Sequence, residues 1–172
     1  SDVCSSDLLG LIAAGPPQAL PAKSPEQKTP AAQNSSVSIE QGNAPEWIVR
    51  VERKCGNKSA QGQVVVRRDS RPDSDQASHS KLAAARAFQS LAQEAIHAKA
   101  WRNAIACANA GFAELGDDYA ASEADDDTGL KRLAAEDQIK KGKVENGAEI
   151  LRRVLDNRIV LYRQLHQKEL RE

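Results

Sequence analysis

Residues 86–112 read RAFQSLAQEAIHAKAWRNAIACANAGF, and the spacing of their apolar members decides the fold. Ala84, Phe88, Leu91, Ala92 and Ala95 recur at intervals of three and four, which lays one apolar stripe along a helix of about four turns. Trp101, Ala104, Ile105, Ala108, Gly111, Phe112 and Leu115 do the same on a second helix. Only Ala98, Lys99 and Ala100 separate the two, so the helices must run antiparallel and touch. Ser78 or Ser80 supplies an N-cap. Gly116, followed by Asp117 and Asp118, stops the second helix. The expected unit is a helical hairpin over 78–116.

A second, weaker hairpin follows over 129–168. Leu130, Leu133, Ala134 and Ala135 lead through Ile139 to the turn Lys141, Gly142, Lys143, and then Val144, Gly147, Leu151 and Val154 mark a returning helix. Leu155, Ile159, Tyr162 and Leu165 prolong it. Val144 lies 43 residues after Trp101, its counterpart in the first hairpin. Residues 117–128 form an acidic connection, with Asp127 or Thr128 expected to cap the third helix, where negative charge suits the dipole.

These positions resemble the tetratricopeptide repeat. Phe88 stands at the large position, Leu91 at the Leu, Ala92 at the small residue, and Trp101 at the aromatic that opens the second helix. Ala104 and Gly111 fall at the small positions where two backbones approach closely. Ala95 and Ala108 depart from it, standing where aromatics are usual, and the displacement of 43 exceeds the usual repeat of about 34 residues. The resemblance covers 82–165. It implies a mainly α fold of four helices in antiparallel hairpins. It also implies a groove for a peptide or protein partner lined by Arg86, Gln89, Ser90, Gln93 and His97, continued by Arg132, Glu136 and Lys140. The same residues read equally as solvated helix faces, with Arg132, Glu136 and Lys140 at ion-pair spacing. An unrelated four-helix bundle would carry the same stripes.

Upstream, residues 46–76 read as irregular or as a small β-hairpin. Trp47, Ile48, Val49, Arg50, Val51 and Gln63, Val64, Val65, Val66, Arg67 are rich in β-branched residues, with Gly56, Asn57 and Gly62 in the stretch between them. Residues 23–45 hold Pro, Ser, Gln, Asn and Lys with scarcely a large apolar side chain, the composition of a disordered linker. Residues 9–22 resemble the surviving end of a signal peptide, with cleavage expected after Ala22. Residues 1–8 resemble a translated sequencing adapter: TCA GAC GTG TGC TCT TCC GAT encodes the first seven, and the chain has no Met. Cys4 is therefore set aside as artefact. These features imply a periplasmic or secreted protein of bacterial type.

Lys plus Arg and Asp plus Glu each number 24, which gives no electrostatic call for nucleic acid. Aromatic residues make up 3 % of the chain, which favours an Ala- and Leu-rich helical assembly over a large mixed core. Cys107 reads as a small buried apolar residue, or as a disulfide partner for Cys55 in an exported chain. The acidic residues of 117–127 lack the ligand order of a calcium loop: with Gly129 sixth, Ala124 would stand first and Ala135 twelfth. His79, His97 and His166 are scattered, and no phosphate loop, Ser elbow or Cys-His signature occurs. The reading is a non-catalytic protein–protein interaction scaffold without metal or cofactor, or else a structural helical bundle or envelope assembly accessory. It has no membrane span, and two hairpins are few enough to imply either self-association or further repeats after Glu172.

Overall fold

A computed structural model describes residues 36–72, 77–116 and 123–171. The expected adapter-like segment, the signal-peptide remnant, most of the linker and residues 117–122 of the acidic connection lie outside these. Among the described residues the order is β1 (Val37–Gln41), β2 (Glu46–Cys55), β3 (Lys58–Arg67), α1 (Ala77–His97), α2 (Trp101–Leu115), α3 (Glu123–Lys140), α4 (Val144–Leu165) and the short α5 (Gln167–Leu170). The chain is mainly helical, with a small antiparallel sheet in the order β1-β2-β3.

The sheet is larger than the sequence suggested. Cys55 pairs with Lys58, so the connection is only Gly56 and Asn57, and both strands run to ten residues. Gly56 has φ of 64°, the positive value that a tight hairpin demands at its first central position. The interval from 54 to 62, which lies between the two β-branched runs, is therefore mostly ladder. Its Lys, Ser and Gln face solvent and hide the period-2 pattern. The linker expected to run to 45 also ends earlier. Val37 pairs with Val51, Ile39 with Val49 and Gln41 with Trp47, giving a third strand where few large apolar residues had argued for none.

One face of the sheet buries Val49, Val51, Val64 and Val66, each no more than 1 % exposed, against α1. Gly62 makes the close approach possible: a Cβ there would stand 1.7 Å from the Ala83 carbonyl oxygen. Helix α1 is thus buried on more than the one expected stripe. Ala83, Ala84, Ala85 and Ala87 are all sealed, as are Leu82, Phe88 and Leu91. Small side chains let neighbours approach from several sides at once.

The α1–α2 hairpin forms as its spacing predicts, turning through 98–100, and Gly116 ends α2 with its N–H donating to the Phe112 carbonyl. The α3–α4 hairpin turns in the same way. Ala100 N–H donates to Ala95 O and Lys99 N–H to Ile96 O; Lys143 N–H donates to Gln138 O and Gly142 N–H to Ile139 O. Each bond recurs at the displacement of 43. Lys99 and Gly142, the equivalent residues, both take positive φ, at 57° and 80°.

Helix α3 begins at Glu123, so the acidic connection ends sooner than residue 128. Asp127 and Thr128 lie inside the helix rather than capping it, and Thr128 is buried. The hairpins meet chiefly through α4, which lies against both α1 and α2. Gly111 nests against Leu155 of α4 rather than against a second backbone. Ala135 and Gly147 set the close α3–α4 crossing, where a Cβ on Gly147 would meet Ile139 at 2.4 Å.

Cys55 and Cys107 form a disulfide, with Cα atoms 5.8 Å apart, joining the end of β2 to the middle of α2 across 52 residues. Arg53 on β2 reinforces this junction by donating from Nε to Glu114 at 2.6 Å. The C-terminus closes the opposite end of the sheet. Leu170 is 1 % exposed, buried His79 donates from Nε2 to its carbonyl at 3.0 Å, and Arg67 N–H donates to Arg171 O.

Candidate functional site

The polar line expected on α1 is engaged within the molecule. Gln89 Nε2 donates to Asp156 Oδ1 on α4 at 2.8 Å. Arg152 Nη1, also on α4, donates to Gln93 Oε1 at 2.9 Å and to Asp156 Oδ2 at 3.0 Å. Gln93 Nε2 lies 3.2 Å from His97 Nε2. Helix α4 therefore takes up the hydrogen-bonding groups that an open groove would present to a partner. Arg86 points the other way, donating from Nη1 to the Gln63 carbonyl on the outer edge of β3 at 2.8 Å. Ser90 and His97 are exposed.

The α3 members do not extend that line. Arg132 places its guanidinium carbon 4.6 Å from the centre of the Phe112 ring on α2, a cation–π contact, while Glu136 and Lys140 face solvent. The six residues Arg86, Gln89, Gln93, His97, Arg132 and Glu136 thus divide among four surroundings, Glu136 standing in solvent. Gln89, Gln93 and His97 share one network, Arg86 serves the sheet edge, and Arg132 covers the core.

A different surface is left open. Leu130 and Leu133 on α3 are 65 % and 63 % exposed, the highest values among the described large apolar side chains. Ala134 beside them is also exposed, whereas Ala135, on the opposite side of the helix, is sealed against α4. Ala134 continues into a shallow groove of about 320 Å³ lined by Gln138, Asn146, Glu149, Ile150 and Arg153. Two ion pairs close near this face: Lys131 reaches Asp127 at 2.7 Å, and Lys141 reaches Asp137 at 2.6 Å.

Leu130 and Leu133 belong to the apolar spacing expected to face the interior, yet they stand in solvent. Spacing alone could not decide, because 130–139 carries two apolar sides: Leu130, Leu133 and Ala134 on one, Ala135 and Ile139 on the other. The small pair Ala135 and Gly147 was the available signal, since close helix crossings favour residues without bulk.

A second cluster surrounds the C-terminus. Ser78 Oγ donates to Glu169 Oε2 at 2.6 Å, and His166 Nδ1 lies 3.2 Å from the same oxygen. The Ser78 bond first, and the His166 bond second, hold the Glu169 carboxyl below its ordinary pKa. The His166 ring also stacks on Tyr162.

Among the described residues no three His, Cys, Asp or Glu side chains converge in a set that could hold a metal ion, and no helix is long and apolar enough to cross a membrane. No protein-family model matches the chain, and neither a curated protein nor a solved structure shows significant similarity to it.

Proposed function

We propose that this chain is a non-catalytic interaction module of an exported protein, and that a protein or peptide partner docks on the outward side of α3. The observation that carries the reading is the pair Leu130 and Leu133, more than half exposed on a helix that buries Thr128 and Ala135 on its other side. Apolar residues so arranged bury well under a partner helix that brings its own i, i+3, i+4 anchors. With Lys131 and Lys141 already paired to Asp127 and Asp137, recognition would rest mainly on apolar burial. The Cys55–Cys107 bond supports a periplasmic or secreted setting, because disulfides persist in oxidising compartments.

The alternative, a structural bundle or assembly accessory without a peptide groove, is favoured by one observation: α4 already occupies Gln89 and Gln93. A photo-crosslinking residue at position 133, in the exported chain within its native envelope, separates the two. The interaction reading expects a discrete crosslinked species that Leu130→Ser abolishes while the circular dichroism stays unchanged. Absence of any crosslinked species would leave the bundle.

A further inference from the structure

We propose that the Cys55–Cys107 bond is a redox latch for the tip of the β2–β3 hairpin: exchange with thiols is slow until the tip frays, and reduction loosens the tip from α2. The two sulfurs are unequal. Cys107 is fully buried in the middle of α2, whereas Cys55 is half-buried at the last residue of β2, beside the turn. An incoming thiolate needs access along the sulfur–sulfur axis, and on the Cys107 side the core bars it.

Attack must fall on the Cys55 sulfur. The thiolate then bonds to Cys55 Sγ, and the sulfur–sulfur electron pair leaves on Cys107 Sγ. In the closed structure that charge forms in an apolar interior, beyond the helix N-terminal turn where the dipole would stabilise it. A poorly stabilised leaving thiolate slows exchange. With a dithiol as reductant, its second sulfur displaces Cys55. The net result is two thiols on the protein and one oxidised dithiol, with two electrons and two protons transferred.

The hairpin is held unevenly along its length. At its base Val49, Val51, Val64 and Val66 are locked into the core. At its tip Lys54, Gly56, Asn57, Lys58 and Ser59 are all exposed. Besides the disulfide, the side-chain ties between tip and helices are the Arg53–Glu114 ion pair and the exposed Lys58–Glu94 pair. The Lys58–Glu94 pair is exposed and holds weakly, whereas Arg53–Glu114 is largely covered, and Cys55 and Ala60 rest against the edge of the core. Fraying at the tip thus leaves the base undisturbed, and once the bond is cut Arg53–Glu114 is the main side-chain tie left between β2 and α2.

The test follows reduction by dithiothreitol in the full chain carrying Cys4→Ser, with thiol labelling and mass spectrometry as readout. The folded chain is expected to reduce at least about a hundredfold more slowly than the same chain in concentrated urea. Gly56→Ala, which forces a side chain onto a positive φ beside Asn103, should speed reduction about fivefold to thirtyfold, and Arg53→Ala provides a second loosened tip. Gly142→Ala, at the remote α3–α4 turn, should leave the rate within about twofold. After reduction, amides at 54–60 should lose more protection than those of 82–92, which fall only by the loss of global stability. The latch is overturned if native and urea-unfolded chains reduce within about tenfold of each other, or if Gly142→Ala accelerates reduction as much as the tip variants do. It is equally overturned if reduction speeds exchange at 54–60 no more than it does at 82–92.

Discussion

Substituting alanine for Gly62 should separate the sheet from α1. The added Cβ would lie 1.7 Å from the Ala83 carbonyl oxygen and 2.6 Å from the Ala87 nitrogen, both backbone atoms that cannot rotate away. An unstrained contact needs about 3.5 Å, so the two layers must part by roughly 2 Å. A gap of half that size already forfeits a quarter to a half of the packing attraction. Burial of Val49, Val51, Val64 and Val66 is worth about 1.5–3 kcal/mol each, so losing half of it costs about 4 kcal/mol. That is a large share of the roughly 5–15 kcal/mol by which domains are stable. Urea denaturation followed by far-UV circular dichroism provides the assay. With a slope of about 1–3 kcal/mol per molar urea, the midpoint should fall by more than about 1 M. Gly129→Ala is the matched control: it sits inside α3 with nothing within 4 Å, and should gain about 0.5–1 kcal/mol. A Gly62→Ala midpoint equal to wild type would refute the reasoning, because no close helix–strand contact could then exist.

Three further outcomes follow from local geometry. Reduction, or Cys55→Ser, should cost up to about 4 kcal/mol on the chain-entropy model for a closed loop of 52 residues, read from denaturation with and without reductant. Lys99→Gly should stabilise by about 1 kcal/mol, because a lysine there carries the strain that its equivalent Gly142 avoids, and Gly142→Ala should cost a similar amount; thermal melts of both variants check the pair. The Glu169 carboxyl should titrate below the ordinary range by NMR. Because its pKa is lowered on folding, its contribution is present above the unfolded value and is lost as pH falls through the folded one, so Ser78→Ala should move that titration back upward.

Much of the helical architecture was legible because it rests on local spacing. The turns at 98–100 and 141–143, the stop at Gly116 and the stripe through Phe88 and Leu91 are written in adjacent residues. What the sequence hid was set by partners distant in the chain. The burial of Ala83 and Ala87 depends on Gly62, and nothing in a run of alanines says which sides will be covered. β1 escaped notice because its partner, β2, supplies most of the apolar residues of that pair. The polar line on α1 was legible as a line, but its occupation by Arg152 and Asp156 followed from α4 lying across it. Leu130 and Leu133 share a helix with an equally apolar opposite side, and only the match of Ala135 to Gly147 chooses between them. Pairing of Cys55 with Cys107 required the sheet tip and α2 to be neighbours, which neither local context announces.

The central claim is that α1 is the shared core of the sheet and both hairpins, with α3 on the outside. Native-state amide exchange tests it most directly. Amides of residues 82–92 should exchange only through global unfolding, and those of 130–137 orders of magnitude faster. Equal protection of the two segments, or stronger protection in α3, would contradict it.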